Sequence, residues 1–230
     1  MEGENRSRRP LSTSLSAMEN RIDHLMYAAA DMNQESDRLA SEIGVRPKAG
    51  GRHEALGTVN ALLPLGERMY LEVIGPDPDI STTSPMAKRC AELPAPDLLT
   101  FAVERSDLEA VDAKARALGL GSSGIVPSSR RTANGELLEW RLLFLGSKAF
   151  AGLIPFFIDW QDSPHPSEGG PEGAELAQLV LTHPDAEALR KLQAELEVEV
   201  DVRFGNRAAI IAELEGAEGG VLLVGSGKGL

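Results

Sequence analysis

Three stretches of the chain share one order of apolar and polar positions. Each opens with a short apolar run, breaks at an aspartate and continues as an amphipathic segment; the aspartates are Asp31, Asp107 and Asp185, spaced 76 and 78 residues apart. An aspartate before a helical pattern accepts hydrogen bonds from the free N–H groups of the first turn and complements the helix dipole. Each opening therefore predicts a strand followed by a helix.

Signals for strand hairpins follow each predicted helix. Apolar or alternating segments surround turn residues at Gly66-Glu67, Asn134-Gly135 and Gly205-Asn206. Such turn residues between apolar segments are typical of antiparallel hairpins. The predicted unit is βαβββ, three times over, and short helices on one face of antiparallel sheets make the fold class α+β.

Two segments rich in Pro, Gly and Ser, 75–97 and 161–174, are typical of linkers. They divide the chain into a first module over 18–80, a second over 97–167 and a third over 174–230. We expect residues 1–17, which contain no apolar run of a secretory signal, to be a disordered extension.

Composition narrows the classes of protein to consider. With 42% hydrophobic and 25% charged residues, the chain is typical of a globular protein, and its net charge of −12 argues against a nucleic-acid partner. No uncharged apolar run approaches the roughly 18 residues that span a bilayer, so we expect no membrane partner. A single cysteine fits a reducing compartment, which predicts a cytoplasmic protein.

Two polar residues lie on strand faces that are otherwise apolar. His24 shares its face with Ile22 and Met26, and Glu72 shares its face with Tyr70 and Ile74. Burying such groups is costly unless they are paired or bind a metal. Two interpretations therefore stay open: a hydrogen-bonded pair in the core, or ligands of a divalent metal. An imidazole and a carboxylate suit Zn, Ni, Mn or Fe alike.

The chain resembles the vicinal oxygen chelate superfamily, and within it the bacterial glyoxalase-like domain proteins. The segments that carry the resemblance are IDHLMY, GGRHEALGTVN, MYLEVIG, SSRRTANGELLEWR and PFFIDWQDSPHPS, in this order over residues 21–167. The resemblance implies that two βαβββ modules pair into a cup-shaped sheet with the helices outside. It also implies a divalent metal at the floor of the cup, held from the first and last strands of each module.

The ligand positions that this implies are only partly filled. Counting back from the helix-starting aspartates places Thr100 and Gln178 at the position of His24. The last strands align Ile158 or Asp159 with Glu72 in the second module and Leu222 in the third. A complete four-ligand glyoxalase site is therefore absent, and the two-histidine, one-carboxylate site of an extradiol dioxygenase is not visible either.

Further polar and aromatic residues fit a binding cup. In the glyoxalase-like family, counterparts of His53, Asn60, Arg130, Trp140 and His165 recur around the cup. We expect His24, Glu72 and His53 to be catalytic acid–base groups. We expect the substrate to bind to a second set: Arg130, Asn60, Thr100, Trp140 and His165.

The third module carries most of the charge. Residues 168–218 contain twelve acidic and four basic residues, and Gln178 and Leu222 stand where ligands would be. We interpret this module as a degenerate repeat that either covers a sheet edge or mediates a homodimer.

Two functions remain open from the sequence. The first is a glyoxalase-like enzyme, a lyase or a relative of one, that acts on a small oxygenated metabolite, with or without a metal. The second is a binding protein that sequesters a small molecule without turnover. No nucleotide-cofactor motif is evident, and the sequence leaves the reaction class open.

Overall fold

The computed structural model describes residues 21–80, 84–131 and 135–229, with the side chain of residue 131 excepted. The expected extension over 1–17 and the turn residue Asn134 lie outside these ranges. Within them the first and second blocks each form a βαβββ unit. Their elements are β1 (Ile22–Ala28), α1 (Met32–Ile43), β2 (Lys48–His53), β3 (Thr58–Pro64) and β4 (Tyr70–Pro76), and then β5 (Asp97–Glu104), α3 (Leu108–Ala117), β6 (Gly121–Arg131), β7 (Leu137–Gly146) and β8 (Phe156–Asp159). A short helix, α2 (Pro85–Ala91), connects the two units.

Two of the three aspartates begin their helices as predicted. The carboxylate of Asp31 accepts the N–H of Gln34, and that of Asp185 accepts the N–H of Ala188. Asp107 precedes α3 but makes no such bond. Its two oxygens instead accept hydrogen bonds from the Arg105 guanidinium at 2.7 and 2.8 Å. The two charge-assisted hydrogen bonds from the Arg105 guanidinium are stronger than a single hydrogen bond from a backbone N–H group.

The first two units form one curved sheet of eight strands in the order β2-β3-β4-β1-β5-β8-β7-β6. β1 and β5 pair antiparallel at its centre, and each pairs in parallel with the last strand of its own unit. The edge strands β2 and β6 approach each other, with Cα pairs within 8 Å. The sheet therefore curls into a cup, which confirms the predicted α+β fold.

The two faces of this sheet bury different residues. On the convex face, Leu25, Val73 and Phe101 pack with residues of α1, α3 and the third block in one large apolar core. On the concave face, Tyr70, Trp140, Phe156 and other side chains form a smaller cluster. The helices thus lie outside the cup, and the inside is available for a site.

The third block has the predicted order of elements but a different strand order. Its elements are β9 (Ala174–His183), α4 (Ala186–Glu195), β10 (Asp201–Phe204), β11 (Ala209–Gly216) and β12 (Gly219–Gly225). Here the first strand is central: β9 pairs in parallel with β10 and antiparallel with β11, in the order β10-β9-β11-β12. The matching of Gln178 and Leu222 with His24 and Glu72 therefore has no counterpart in the structure.

This second sheet packs on the convex side of the cup, where β12 contacts β5 and α1. The approach is close: a Cβ atom at Gly225 would lie 1.9 Å from the carbonyl oxygen of Leu98. Across the described ranges no helix has both the length and the apolar character that a membrane crossing requires.

Candidate functional site

An irregularity in β1 brings two adjacent side chains together. The pairing of β1 with β5 shifts its register between Ile22 and His24, so Asp23 lies at a bulge. Side chains of successive strand residues normally point to opposite faces, and a bulge changes where they point. The Asp23 carboxylate consequently reaches the ring of its own neighbour, with Oδ1 2.5 Å from His24 Nδ1.

Asp23 is fully buried and has three hydrogen-bonding partners. Besides His24, the Nε1–H of Trp160 donates to Oδ2 at 2.8 Å, and His165 Nε2 lies 3.1 Å from the same oxygen. Burial by itself would raise the pKa of Asp23. The hydrogen bonds from His165 and His24 outweigh it and hold that pKa well below its usual range. Asp23 is therefore a buried carboxylate anion.

The contact with Asp23 determines the proton position on His24. Because an ionised carboxylate only accepts hydrogen bonds, Nδ1 of His24 carries a hydrogen, and in the neutral form of the ring Nε2 has the lone pair. Nε2 lies 3.9 Å from Glu72 Oε2. The ring stacks on Tyr70 with centroids 4.7 Å apart, and the edge of Phe156 packs against it at 5.3 Å. These contacts hold the imidazole in one orientation.

Glu72 is buried on the neighbouring strand and is oriented by an amide. Its Oε1 accepts a hydrogen bond of 2.6 Å from Asn60 Nδ2. The other end of this amide is also engaged, because Asn60 Oδ1 accepts the N–H of Gly51 at 2.8 Å. The amide therefore cannot flip without losing both bonds, and Oε2 of Glu72 is left to face His24.

His53 and Arg130 complete the polar part of the site. Burial lowers the pKa of His53, and the positive charge of Arg130 lowers it further, while Glu72 opposes both. His53 is therefore neutral at pH 7. Burial, Asp23 and Glu72 raise the pKa of Tyr70 well above its ordinary value, so its hydroxyl keeps its proton. Arg130 forms no ion pair with any residue in the described ranges.

These groups line one cavity of about 140 Å³ inside the cup. Six of the predicted site residues line it: His24, Glu72, His53, Asn60, Arg130 and Trp140. Its remaining walls are mainly apolar and include Met26, Leu62, Phe144, Phe156 and Ile158. The structure thus combines converging polar groups with an apolar surface, as small-molecule sites do.

Two predicted residues lie elsewhere. Thr100 lines a separate cavity of about 560 Å³, and the rings of Phe144 and Phe156 border both cavities. His165 is not among the residues lining the smaller cavity, because its side chain is fully buried behind Asp23.

The strand pairings show which residues correspond in the two units. The 76-residue spacing of Asp31 and Asp107 places Thr100 at the position of His24 and Ala102 at that of Met26, and the pairings of His24 with Ala102 and of Met26 with Thr100 agree with it. Across the parallel pairs, Met26 faces Glu72 whereas Ala102 faces Phe156.

Phe156 is therefore the counterpart of Glu72, and the alignment of Ile158 or Asp159 with Glu72 is wrong. β8 is shorter than the apolar run PFFIDW indicates. The alignment made from the sequence therefore placed the counterpart of Glu72 at least two residues too far along the chain. The Asp159 carboxylate is engaged by Arg141, whose Nε and Nη2 lie 3.0 and 2.6 Å from Oδ2.

The donor set at these four positions does not fit the closed metal centre that the superfamily implies. His24 and Glu72 offer one nitrogen and one oxygen, but Thr100 is a poor ligand and Phe156 has no donor atom and packs against the imidazole. Within the described part of the chain, no three His, Cys, Asp or Glu side chains lie close enough to hold a metal ion.

Sequence reasoning missed Asp23. Asp23 was visible as a charged residue inside the apolar run of β1, immediately before His24. The bulge that turns it toward His24 depends on pairing with β5, which the local pattern does not reveal.

A curved eight-stranded sheet of two paired βαβββ units with a polar site inside is the architecture of the vicinal oxygen chelate superfamily. The family model described as a glyoxalase-like domain matches residues 22–197, and the chain belongs to this family. The match confirms the resemblance and extends through α4 of the third block.

Solved structures show the same fold at low sequence identity. A hypothetical protein from Staphylococcus aureus is 15% identical with a TM-score of 0.59, over 89% of this chain and 85% of that one. A variant of 4-hydroxymandelate synthase from Streptomyces coelicolor is 15% identical with a TM-score of 0.50, over 90% of this chain and 63% of that one.

Methylmalonyl-CoA epimerase from Mycobacterium tuberculosis is 20% identical with a TM-score of 0.46, over 64% and 91% of the two chains. A comparison with curated proteins finds no match. At 15% identity, the likeness to the Staphylococcus aureus protein and to the 4-hydroxymandelate synthase variant shows the fold alone.

Proposed function

We propose that the protein is a glyoxalase-like enzyme that transfers a proton on a small, negatively charged oxygenated metabolite, with His24 as the base. The observation that carries this proposal is the Asp23–His24 pair, which directs an imidazole lone pair toward Glu72 at 3.9 Å inside a small cavity. A carboxylate that holds an imidazole in this way orients the base and stabilises the imidazolium ion that forms.

In the proposed reaction His24 Nε2 takes a proton from a carbon atom next to a carbonyl group. The bonding electrons move onto the carbonyl oxygen, and the positive charge that His24 gains is balanced by Asp23. The proton then returns to the same carbon or to a neighbouring atom of the substrate. Isomerases and lyases both begin with such a step, so the proposal leaves open which of the two follows.

Glu72 is the second acid–base group in this proposal. It lies on the parallel strand beside His24, and Asn60 orients it, so a substrate atom lying beside the pair, off the line that joins Nε2 and Oε2, is within reach of both. Two bases around one carbon permit removal and return of a proton from different directions. Neutral His53 is available as a hydrogen-bond partner for the substrate oxygen.

Arg130 is the proposed anchor for the anionic end of the substrate. It lines the cavity close enough to affect the pKa of His53 and Tyr70, and it forms no salt bridge with a carboxylate of the described residues. A guanidinium group binds a carboxylate or phosphate with two parallel hydrogen bonds. Trp140 and Tyr70 supply flat apolar walls for the remainder of a small ligand.

Hydrogen exchange measured by NMR tests the proposal without a known substrate. The protein is incubated in D2O with a panel of small 2-hydroxy and 2-oxo carboxylic acids. We expect deuterium to replace the hydrogen on the carbon next to the carbonyl group of at least one probe, which is C3 of a 2-oxo acid and C2 of a 2-hydroxy acid, and His24→Gln to abolish this exchange.

His183→Gln is the matched control, because His183 lies on β9 outside the cavity. Exchange that persists in His24→Gln, or no exchange with any probe, contradicts the proposal.

The second candidate is a binding protein without turnover. It is favoured by the absence of a histidine or carboxylate at Thr100 and Phe156 and by the largely apolar lining of the cavity. It predicts that a probe raises the midpoint of thermal unfolding and is recovered unchanged from D2O.

The remaining expectations from the sequence stay predictions. These are a cytoplasmic location, inferred from the single cysteine, no nucleic-acid partner, and a homodimer formed through the acidic third block.

A further inference from the structure

We infer that His165 is a positioning residue that acts on His24 through Asp23 and keeps the lone pair of His24 directed into the cavity. Sequence reasoning placed His165 among the substrate-binding residues. Its side chain is instead fully buried, and Asp23 lies between it and the base. This inference rests on the proposed function, because it specifies how the base of that reaction is prepared.

The proton on His165 is located by its other neighbours. The backbone N–H of Ser167 donates to Nδ1 at 3.2 Å, and the Ser167 hydroxyl lies 2.7 Å from the same nitrogen. Because Nδ1 accepts, Nε2 carries the hydrogen of the neutral ring and donates it to Asp23 Oδ2. Prolines on both sides of His165, Pro164 and Pro166, restrict the backbone that presents this ring.

This arrangement divides the two oxygens of Asp23 between different partners. Oδ2 accepts from His165 and from the Trp160 indole, while Oδ1 accepts from His24. A carboxylate held by two donors on one oxygen cannot rotate without losing both. The other oxygen therefore stays against His24 Nδ1.

The position of Asp23 matters because His24 lies between two carboxylates. Asp23 is 2.5 Å from Nδ1, and Glu72 is 3.9 Å from Nε2. The single proton of neutral His24 can be donated to either carboxylate. If it moves to Nε2, it points at Glu72 and the lone pair that would act as base is turned away from the cavity. Because Asp23 is held in place, the proton stays on Nδ1 and the lone pair stays on Nε2.

The long-range ¹H–¹⁵N NMR spectrum of the His24 ring reports this directly in the free protein, with no substrate needed. We expect the wild type to show the hydrogen on Nδ1. In His165→Leu, which removes the donor, we expect a substantial share of the Nε2–H form. In His165→Gln, whose amide can still donate to Asp23, we expect a spectrum close to wild type.

Exchange activity gives the second measurement. We expect kcat in His165→Leu to fall on the order of 10- to 100-fold, as is typical when a partner that orients an essential ligand is removed. KM should change little, because His165 does not line the cavity. His165→Gln should recover most of kcat, which a role in packing alone would not explain.

If His165→Leu does not fold, Trp160→Phe removes the other donor to Asp23 Oδ2 while retaining an aromatic ring. The NMR spectrum of the His24 ring in that variant then tests the inference. A His24 ring that keeps its hydrogen on Nδ1 in folded His165→Leu, or in Trp160→Phe where His165→Leu does not fold, overturns the inference and leaves the proposed function intact. Conversely, exchange that persists in His24→Gln overturns the proposed function, whatever the spectra show.

Discussion

The first and second units of the cup have the same order of elements and the same strand order, yet they carry different chemistry. At two corresponding positions the first unit has His24 and Glu72, and the second has Thr100 and Phe156. The backbone framework has therefore been kept in both halves while acid–base groups stand in only one.

The second unit nevertheless contributes to the site in the first. Trp160 and His165, which follow β8, hold Asp23, and Arg130 and Trp140 of the hairpin β6–β7 line the cavity. The first unit thus supplies the proposed base, and the second supplies the side chains that hold Asp23 and the positive charge of Arg130. This division explains why a pair of halves can lose the symmetric ligand set and still present a converging site.

The largest expected effect compares His24 with its counterpart. His24→Gln should lower the exchange rate on a responsive probe by roughly 10²- to 10⁴-fold, the usual contribution of a general base. Thr100→Val, which keeps the side-chain volume, should change it less than about 3-fold, since Thr100 lines the other cavity. Similar losses in both variants would mean that the two halves act together.

The next effect concerns Asp23. The spacing of 76 residues that relates the two units makes the buried Leu99 its counterpart. Asp23→Asn places an amide where all three partners donate, so we expect a loss of about 2–4 kcal/mol in the free energy of unfolding at pH 7. Leu99→Met should cost less than about 1.5 kcal/mol, because it conserves volume. Chemical denaturation of both variants measures the difference.

The pH dependence of this loss follows from the lowered pKa of Asp23. A carboxyl with a depressed pKa stabilises the folded state above its unfolded pKa, near 3.8, and this stabilisation disappears as the pH falls toward the folded value. The gap between wild type and Asp23→Asn should therefore be full above pH 5 and narrow below pH 4. A gap that is constant from pH 7 to pH 3 would contradict an ionised Asp23.

A third experiment restores donors in the second unit. In the double variant Thr100→His with Phe156→Glu, both positions gain the residue types of the first unit. We expect reduced stability without metal and, at a zinc concentration 100-fold above Kd, a recovery of about 2.7 kcal/mol. Wild type should show a smaller response in the same thermal unfolding assay. A folded double variant without a zinc response would show that the positions do not converge.

The smallest expected effect concerns the arginines of the second unit. Arg130→Met should raise KM for an anionic probe by roughly 10-fold, the worth of one charge-assisted contact. Arg141→Met is the control, because Arg141 pairs with Asp159 and Glu109 and does not line the cavity. An unchanged KM in Arg130→Met would remove it from the substrate site.

Much of this molecule could be predicted from local patterns. The alternation of apolar and polar positions predicted the order of elements in all three blocks, and Asp31 and Asp185 begin their helices as expected. Six predicted site residues line one cavity; strand periodicity identified His24 and Glu72, and the resemblance to the family implied the other four.

What the local patterns missed depends on contacts between distant segments. The bulge at Asp23 arises where β1 pairs with β5, and the position of Phe156 follows from a short β8 paired with β5. The strand order of the third block was equally hidden, because periodicity identifies strands and not their neighbours.

The sequence by itself determined the order of elements and the strand faces that carry His24 and Glu72, since these follow from side-chain periods of 2 and 3.6, whereas the cup was expected from the resemblance to the superfamily. The tertiary structure alone decided that Asp23 holds His24, that His165 lies behind the site and that Phe156 stands opposite Glu72. Each of these is a matter of register between strands or of a loop folding back across 137 to 142 residues. No local pattern contains that information.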